Sequence, residues 1–178
     1  MASPEAEAAK AMMILMREAM DGIDHVPTLE EQRAGMAMMA QSAAEPGGVT
    51  VTETYAGGCR AYWHDPAGAA MDRAVLYLHG GGYVIGSPKS HERLVGHIAK
   101  ATGCRALSVD YRLAPEHPHP AAVQDATAAY RWLLAQGFKP EHIAISGDSA
   151  GGGLTLATLL SLKENGVPQP AAAVPLSP

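Results

Sequence analysis

His142-Ile143-Ala144-Ile145-Ser146-Gly147-Asp148-Ser149-Ala150-Gly151-Gly152-Gly153-Leu154 reads as a short β-branched strand, a turn too tight for large side chains, and then a helix. Within it, Gly147-Asp148-Ser149-Ala150-Gly151 fits G-x-S-x-G, the strand–turn–helix elbow that exposes a serine nucleophile. Small residues two before and two after the serine let strand and helix approach closely, which forces Ser149 to the tip of the turn. The helix that follows points its N-terminal N–H groups and positive dipole end at any oxyanion forming there. Taken alone, the five residues also fit a plain glycine-rich turn, so the reading needs a second feature.

That feature lies seventy residues upstream, where the apolar run at 74–78 ends in His79-Gly80-Gly81-Gly82. Three glycines after a buried strand leave backbone N–H groups free and let a substrate come close. A phosphate loop would need Gly-Lys-Ser/Thr after its spacer, and a dinucleotide fingerprint would need a third glycine at its proper place; neither occurs. The two motifs together point to serine acyl transfer. Ser149 is the candidate nucleophile, and the N–H groups of Gly81, Gly82 and Ala150 are the candidate oxyanion hole. His79, Gly80, Gly147, Asp148 and Gly151 are read as motif support.

These two motifs, with Asp110-Tyr111-Arg112-Leu113-Ala114-Pro115-Glu116-His117-Pro118 between them, resemble the hormone-sensitive-lipase-like branch of the α/β-hydrolase esterases. The resemblance covers nearly the whole chain. It implies an α/β-hydrolase fold (a mostly parallel sheet with helices on both faces), a helical cap, and hydrolysis of short-to-medium acyl esters. The chain departs from the pattern at His119, where that family usually has an aromatic residue.

The totals limit the alternatives. The chain has 178 residues, enough for one domain with a sizeable core plus a small appendage. A net charge of −5 with 13 Lys and Arg argues against nucleic acid or an anionic membrane as partner. Cys59 and Cys104 stand outside any C-x-x-C motif and read as two reduced thiols, with one disulfide as the other option. No signal peptide or membrane-spanning stretch is recognisable. The expectation is a cytoplasmic protein without cofactor or metal and without stable membrane insertion, with a homodimer left open.

Along the chain, Ser3-Pro4-Glu5 opens a helix to about Met20, and the capping box Thr28-Leu29-Glu30-Glu31 opens another to about Gln41. Eight of the nine methionines lie in the first 39 residues, which suits either amphipathic core packing or a cap over an acyl pocket. Residues 1–45 are expected to be the cap and 46–178 the catalytic core, with 42–48 as linker. Strands are expected at 49–55, 59–64, 74–78, 104–109, 142–148 and 171–176, and helices at 90–102, 121–136 and 150–164. Such alternation means a mostly parallel sheet with helices on both faces. Asp110, Arg112 and Glu116 read better as ion pairs holding a loop than as a catalytic cluster. His117-Pro118-His119-Pro120 reads as an extended loop and not as a metal tract.

On this fold the order is serine, then acid, then histidine. After Ser149 the single acid is Glu164, roughly 22 Å along its helix, and no histidine follows. His142 lies roughly 20 Å away at the far end of the elbow strand. The resemblance implies acid and base beyond Pro178, so the expectation is the front part of an esterase, ending before the last strands. A non-catalytic small-molecule-binding protein on the same scaffold, like a hormone receptor, is the alternative, separated by whether an acid and a later histidine follow Pro178.

Overall fold

The computed structural model describes residues 26–39 and 43–178, together with Glu7, Lys10, Ala11, Ile14, Leu15 and Glu18, all six of them helical. Apart from those positions, the helix expected over 3–20 lies outside the described residues, as do residues 40–42 at the end of the second. Residues 1–31 and 32–178 form two compact units. In the first, the capping box is made in both directions. Glu31 Oε2 accepts from Thr28 N at 2.7 Å, and Thr28 Oγ1 accepts from Glu31 N at 3.3 Å. This opens α1, Leu29–Met39.

In the second unit the described strands form one six-stranded sheet. In chain order they are β1 Val49–Ala56, β2 Cys59–Pro66, β3 Ala70–Leu78, β4 Cys104–Val109, β5 Ile143–Asp148 and β6 Ala172–Leu176. Their order across the sheet is β1-β2-β4-β3-β5-β6. β2 pairs antiparallel with both its neighbours, and the other pairings are parallel, so only β2 runs against the rest. The helices α2 (Glu92–Thr102), α3 (Ala121–Ala135) and α4 (Ala150–Glu164) match the expected spans closely. Gly103 ends α2 in the left-handed region at φ 63°.

Side-chain alternation along β3 shows why helices cover both faces. Ala74, Leu76 and Leu78 point into a core shared with Tyr130 and Leu133 of α3 and Leu154 and Leu162 of α4. Val75 and Tyr77 point the other way, against Val95 and Ala99 of α2. Residues 43–48 are irregular and are tied down along α2. His97 Nε2 donates to Ala44 O at 3.0 Å and Lys100 Nζ to Gly47 O at 2.9 Å. Pro46 occupies the space a side chain at Gly96 would need. His142 sits in a 3-10 turn ahead of β5, paired with Asp72 at 3.2 Å. Among the described residues no helix is long and apolar enough to cross a membrane.

Candidate active site

β5 delivers the chain to Ser149 at φ 51°, ψ −120°, and α4 starts at the next residue. Positive φ in a residue with a Cβ is a costly conformation, of order 1–3 kcal/mol, held by its surroundings. Those surroundings are visible. Ser149 N donates to Leu176 O of β6 at 2.8 Å, and Ser149 O accepts from Gly153 N at 3.0 Å. The hydroxyl is exposed and caps no backbone group.

The glycines of the elbow are required by the other motif. A Cβ at Gly147 would strike the carbonyl oxygens of Leu78 and Gly151. One at Gly151 would strike the carbonyls of Leu78 and His79. The end of β3 therefore lies directly against the elbow, and the loop it feeds is carried to the same place. Asp148 makes the joint. Its Oδ1 accepts from Gly80 N at 2.9 Å and from Tyr77 OH at 2.8 Å, with His91 Nε2 at 3.4 Å. Burial pushes this carboxyl up, but hydrogen bonds from His91 and Tyr77 outweigh it and hold the group at about 2. Asp148 is a carboxylate at any ordinary pH, one residue from the exposed serine.

Peptide planarity sets the aim of the loop's N–H groups, because each carbonyl and the following N–H point in opposite directions. His79 Nδ1 lies 2.8 Å from Gly80 O and so carries the proton that bonds it, which directs Gly81 N–H the other way. Gly81 O accepts from Val84 N at 3.0 Å and Ile85 N at 2.9 Å, which directs Gly82 N–H outward. No hydrogen bond among the described residues occupies the N–H groups of Gly81, Gly82 or Ala150. Gly81 stands at φ 122°, with Ile85 O where its side chain would be.

His79 is itself buried, stacked on Tyr111 at 4.2 Å, and its carbonyl accepts from Tyr111 OH at 2.6 Å. Its Nε2 has no partner. Burial lowers it to about 4, and burial does the same to His64, whose Nε2 is 3.0 Å from Ser108 Oγ. Both therefore remain neutral in the fold while the unfolded chain's histidines take up protons near 6.5. The folded state binds fewer protons between those values, so stability falls as pH drops from about 6.5 towards 4, by about 1–2 kcal/mol per histidine at pH 5. The melting temperature is expected to fall by about 5–10 °C between pH 7.5 and 5. His64→Gln should flatten that dependence; an unchanged slope in the variant would mean that His64 does not contribute.

The tempting charge cluster resolves into separate pairs. Arg112 clasps Asp125 through Nη2 at 2.7 Å and Nε at 2.9 Å, while Glu116 pairs with Arg33 at 2.8 Å. Asp110 joins neither pair, and burial raises it above the ordinary carboxylate value. Tyr77, His91 and Tyr111 are supports that sequence reasoning missed, since nothing local in the chain announces partners so far apart. Tyr83, at φ 63°, borders a recess of about 300 Å³ with Ala114, Val123, Ala157, His117 and His119. Both cysteines are free thiols, and among the described residues no group of three His, Cys, Asp or Glu is arranged to hold a metal ion.

A family model described as alpha/beta hydrolase fold matches residues 75–178. The chain is 43% identical over its full length to an acetyl-hydrolase of Streptomyces hygroscopicus, and spans 58% of that relative. The crystal structure of EstE5 soaked by ethyl alcohol superposes with a TM-score of 0.90 at 48% identity, covering 99% of this chain and 58% of the other. An esterase from the bacterial hormone-sensitive lipase family superposes at 0.87 with 44% identity, covering 97% of this chain and 57% of that one. With a serine elbow and a glycine loop locked together by Asp148, the chain belongs to the α/β-hydrolase fold family, on its hormone-sensitive-lipase-like esterase branch.

Proposed function

We propose that the whole protein is a carboxylic ester hydrolase for short-to-medium acyl esters, with Ser149 as nucleophile. The observation that carries this is the joint at Asp148, which ties the elbow of an exposed, unpartnered serine to a loop whose N–H groups are unoccupied. Ser149 Oγ attacks the ester carbonyl and loses its proton to a general base. The carbonyl oxygen becomes an oxyanion held by the N–H groups of Gly81, Gly82 and Ala150. Collapse expels the alcohol and leaves an acyl-serine, which water hydrolyses. The mechanism needs no metal or organic cofactor.

Among the described residues no histidine bonds the Ser149 hydroxyl. The proposal therefore assigns the base and its acid to the part of the relatives' length that this chain does not span. The apolar side of the recess at Tyr83, Val123 and Ala157 suits an alkyl or acyl group of modest size. The net charge of −5 argues against nucleic acid as partner, and cytoplasmic placement is part of the proposal.

The test is hydrolysis of a p-nitrophenyl ester series, acetate to decanoate, by the whole protein. Turnover that falls beyond medium chains supports the reading; binding of esters without turnover would favour the receptor-like alternative. The proposal also gives the methionine-rich segment at 1–45 a part in acyl selection, with 46–178 as the catalytic core. Deleting residues 1–27, which leaves the Thr28 cap in place, is expected to lower activity on octanoate severalfold more than on acetate. Equal losses on both would make that segment structural support.

A further inference from the structure

Arg33 stands on α1, within the same compact unit as the sheet, yet its guanidinium reaches residues fifty and eighty positions away. Its Nε donates to Val84 O at 3.0 Å and its Nη2 to Ala114 O at 3.3 Å. Nη1 and Nη2 grip both oxygens of Glu116, at 2.8 and 2.9 Å. The Arg33 hydrogen bonds hold the Glu116 carboxyl down at about 2, so the grip is ionic at any working pH.

The bond to Val84 O matters because of what shares its peptide plane. Val84 C=O and Ile85 N–H are one rigid unit, and Ile85 N–H donates to Gly81 O. Gly81 C=O and Gly82 N–H are the next rigid unit. Arg33 thus acts on Gly82 N–H through two peptide planes and one hydrogen bond between them. The same stretch is held again by Ala114 N, which donates to Tyr83 O at 2.8 Å, while Arg33 holds the Ala114 carbonyl. The carbonyls of Gly80, Gly81, Tyr83 and Val84 are all claimed, and Arg33 makes the claim on the last.

We infer that Arg33 is a positioning residue for catalysis, aiming the Gly82 N–H at the oxyanion through the Val84–Ile85 peptide, with Glu116 fixing its guanidinium. The inference rests on the reading of that loop as an oxyanion hole. Losing a donor outright typically costs about 10²–10³ in turnover, and a donor left in place but poorly aimed costs less.

The experiment uses the whole protein with p-nitrophenyl butyrate, rates being normalised to sites titrated with an organophosphonate. Arg33→Ala should lower kcat about 10- to 50-fold while KM changes less than threefold, because the lost aim is felt at the oxyanion and not in the bound ester. Inhibition by butaneboronic acid, whose serine adduct is tetrahedral, should weaken by a similar factor. Arg33→Lys keeps the charge opposite Glu116 but not the fork, so kcat should remain at least about fivefold down. A kcat per titrated site within twofold of the parent in Arg33→Ala overturns the inference, whatever happens to its melting temperature. Should Arg33→Ala fail to fold, the same result in Arg33→Lys overturns it. A parent that binds esters without turning them over would overturn the ester-hydrolase reading itself, and hydrolysis that survives Ser149→Ala would overturn Ser149 as its nucleophile; both outcomes are separable because neither involves Arg33.

Discussion

Ser149→Ala is expected to abolish ester hydrolysis by the whole protein, lowering kcat by roughly 10⁴–10⁶ while leaving the fold unchanged. Both halves follow from the geometry. The hydroxyl is exposed and makes no capping bond, so its removal leaves no buried group without a partner. The elbow is held by backbone bonds to Leu176 and Gly153, which an alanine keeps. The melting temperature should therefore stay within about 2 °C of the parent, as for surface substitutions that break no named interaction. Ser149→Gly separates strain from chemistry. It should be equally inactive but more stable than the alanine variant, because glycine adopts φ 51° without steric cost. Turnover within tenfold of the parent in either variant would remove Ser149 from the reaction.

Gly81→Val is expected to lower kcat by at least ~10², close to the loss of an oxyanion donor. A side chain there collides with the Ile85 carbonyl and would have to adopt φ 122°, so the turn must open. Opening it breaks the bonds from Val84 N and Ile85 N to Gly81 O and turns the neighbouring N–H groups away. Gly82→Ala is the control. Its Cβ meets nothing within 4 Å, and φ 61° is a region that alanine reaches at a cost of roughly 1–2 kcal/mol. Kinetics and thermal melts on both variants should show the valine far more damaging to kcat than the alanine. A fully active Gly81→Val with the parent's melting temperature would mean that the loop is only a turn.

Much of this site was readable one motif at a time. The elbow could be seen because strand, tight turn and helix each leave a local mark: β-branched residues, small residues, and a helix ended by Asn165-Gly166. The glycine loop could be seen because three glycines after a buried run have few structural uses. The capping box at Thr28 was equally local, and its bonds are made within four residues. By contrast, nothing near Asp148 marks it as more than a filler of the x position. Its importance comes from Gly80, Tyr77 and His91, which lie 68, 71 and 57 residues earlier in the chain. Arg33 was equally silent. A single arginine on a methionine-rich helix reads as a solvated charge until Val84, Ala114 and Glu116 are brought beneath it.

The sequence by itself determined the alternation of strands and helices, the serine at the turn and the glycines of the loop. Period, cap and turn chemistry act over a few residues, and their cost is met locally. Tertiary structure alone decided which glycines face which carbonyls and where the N–H groups aim. Pairing β3 beside β5 in parallel register sets Leu78 opposite Gly147, and only then does a Cβ at Gly147 or Gly151 become impossible. Peptide planes are turned by whatever bonds their carbonyls, and here those partners are His79, Ile85 and Arg33, supplied by a strand end, a loop and a helix.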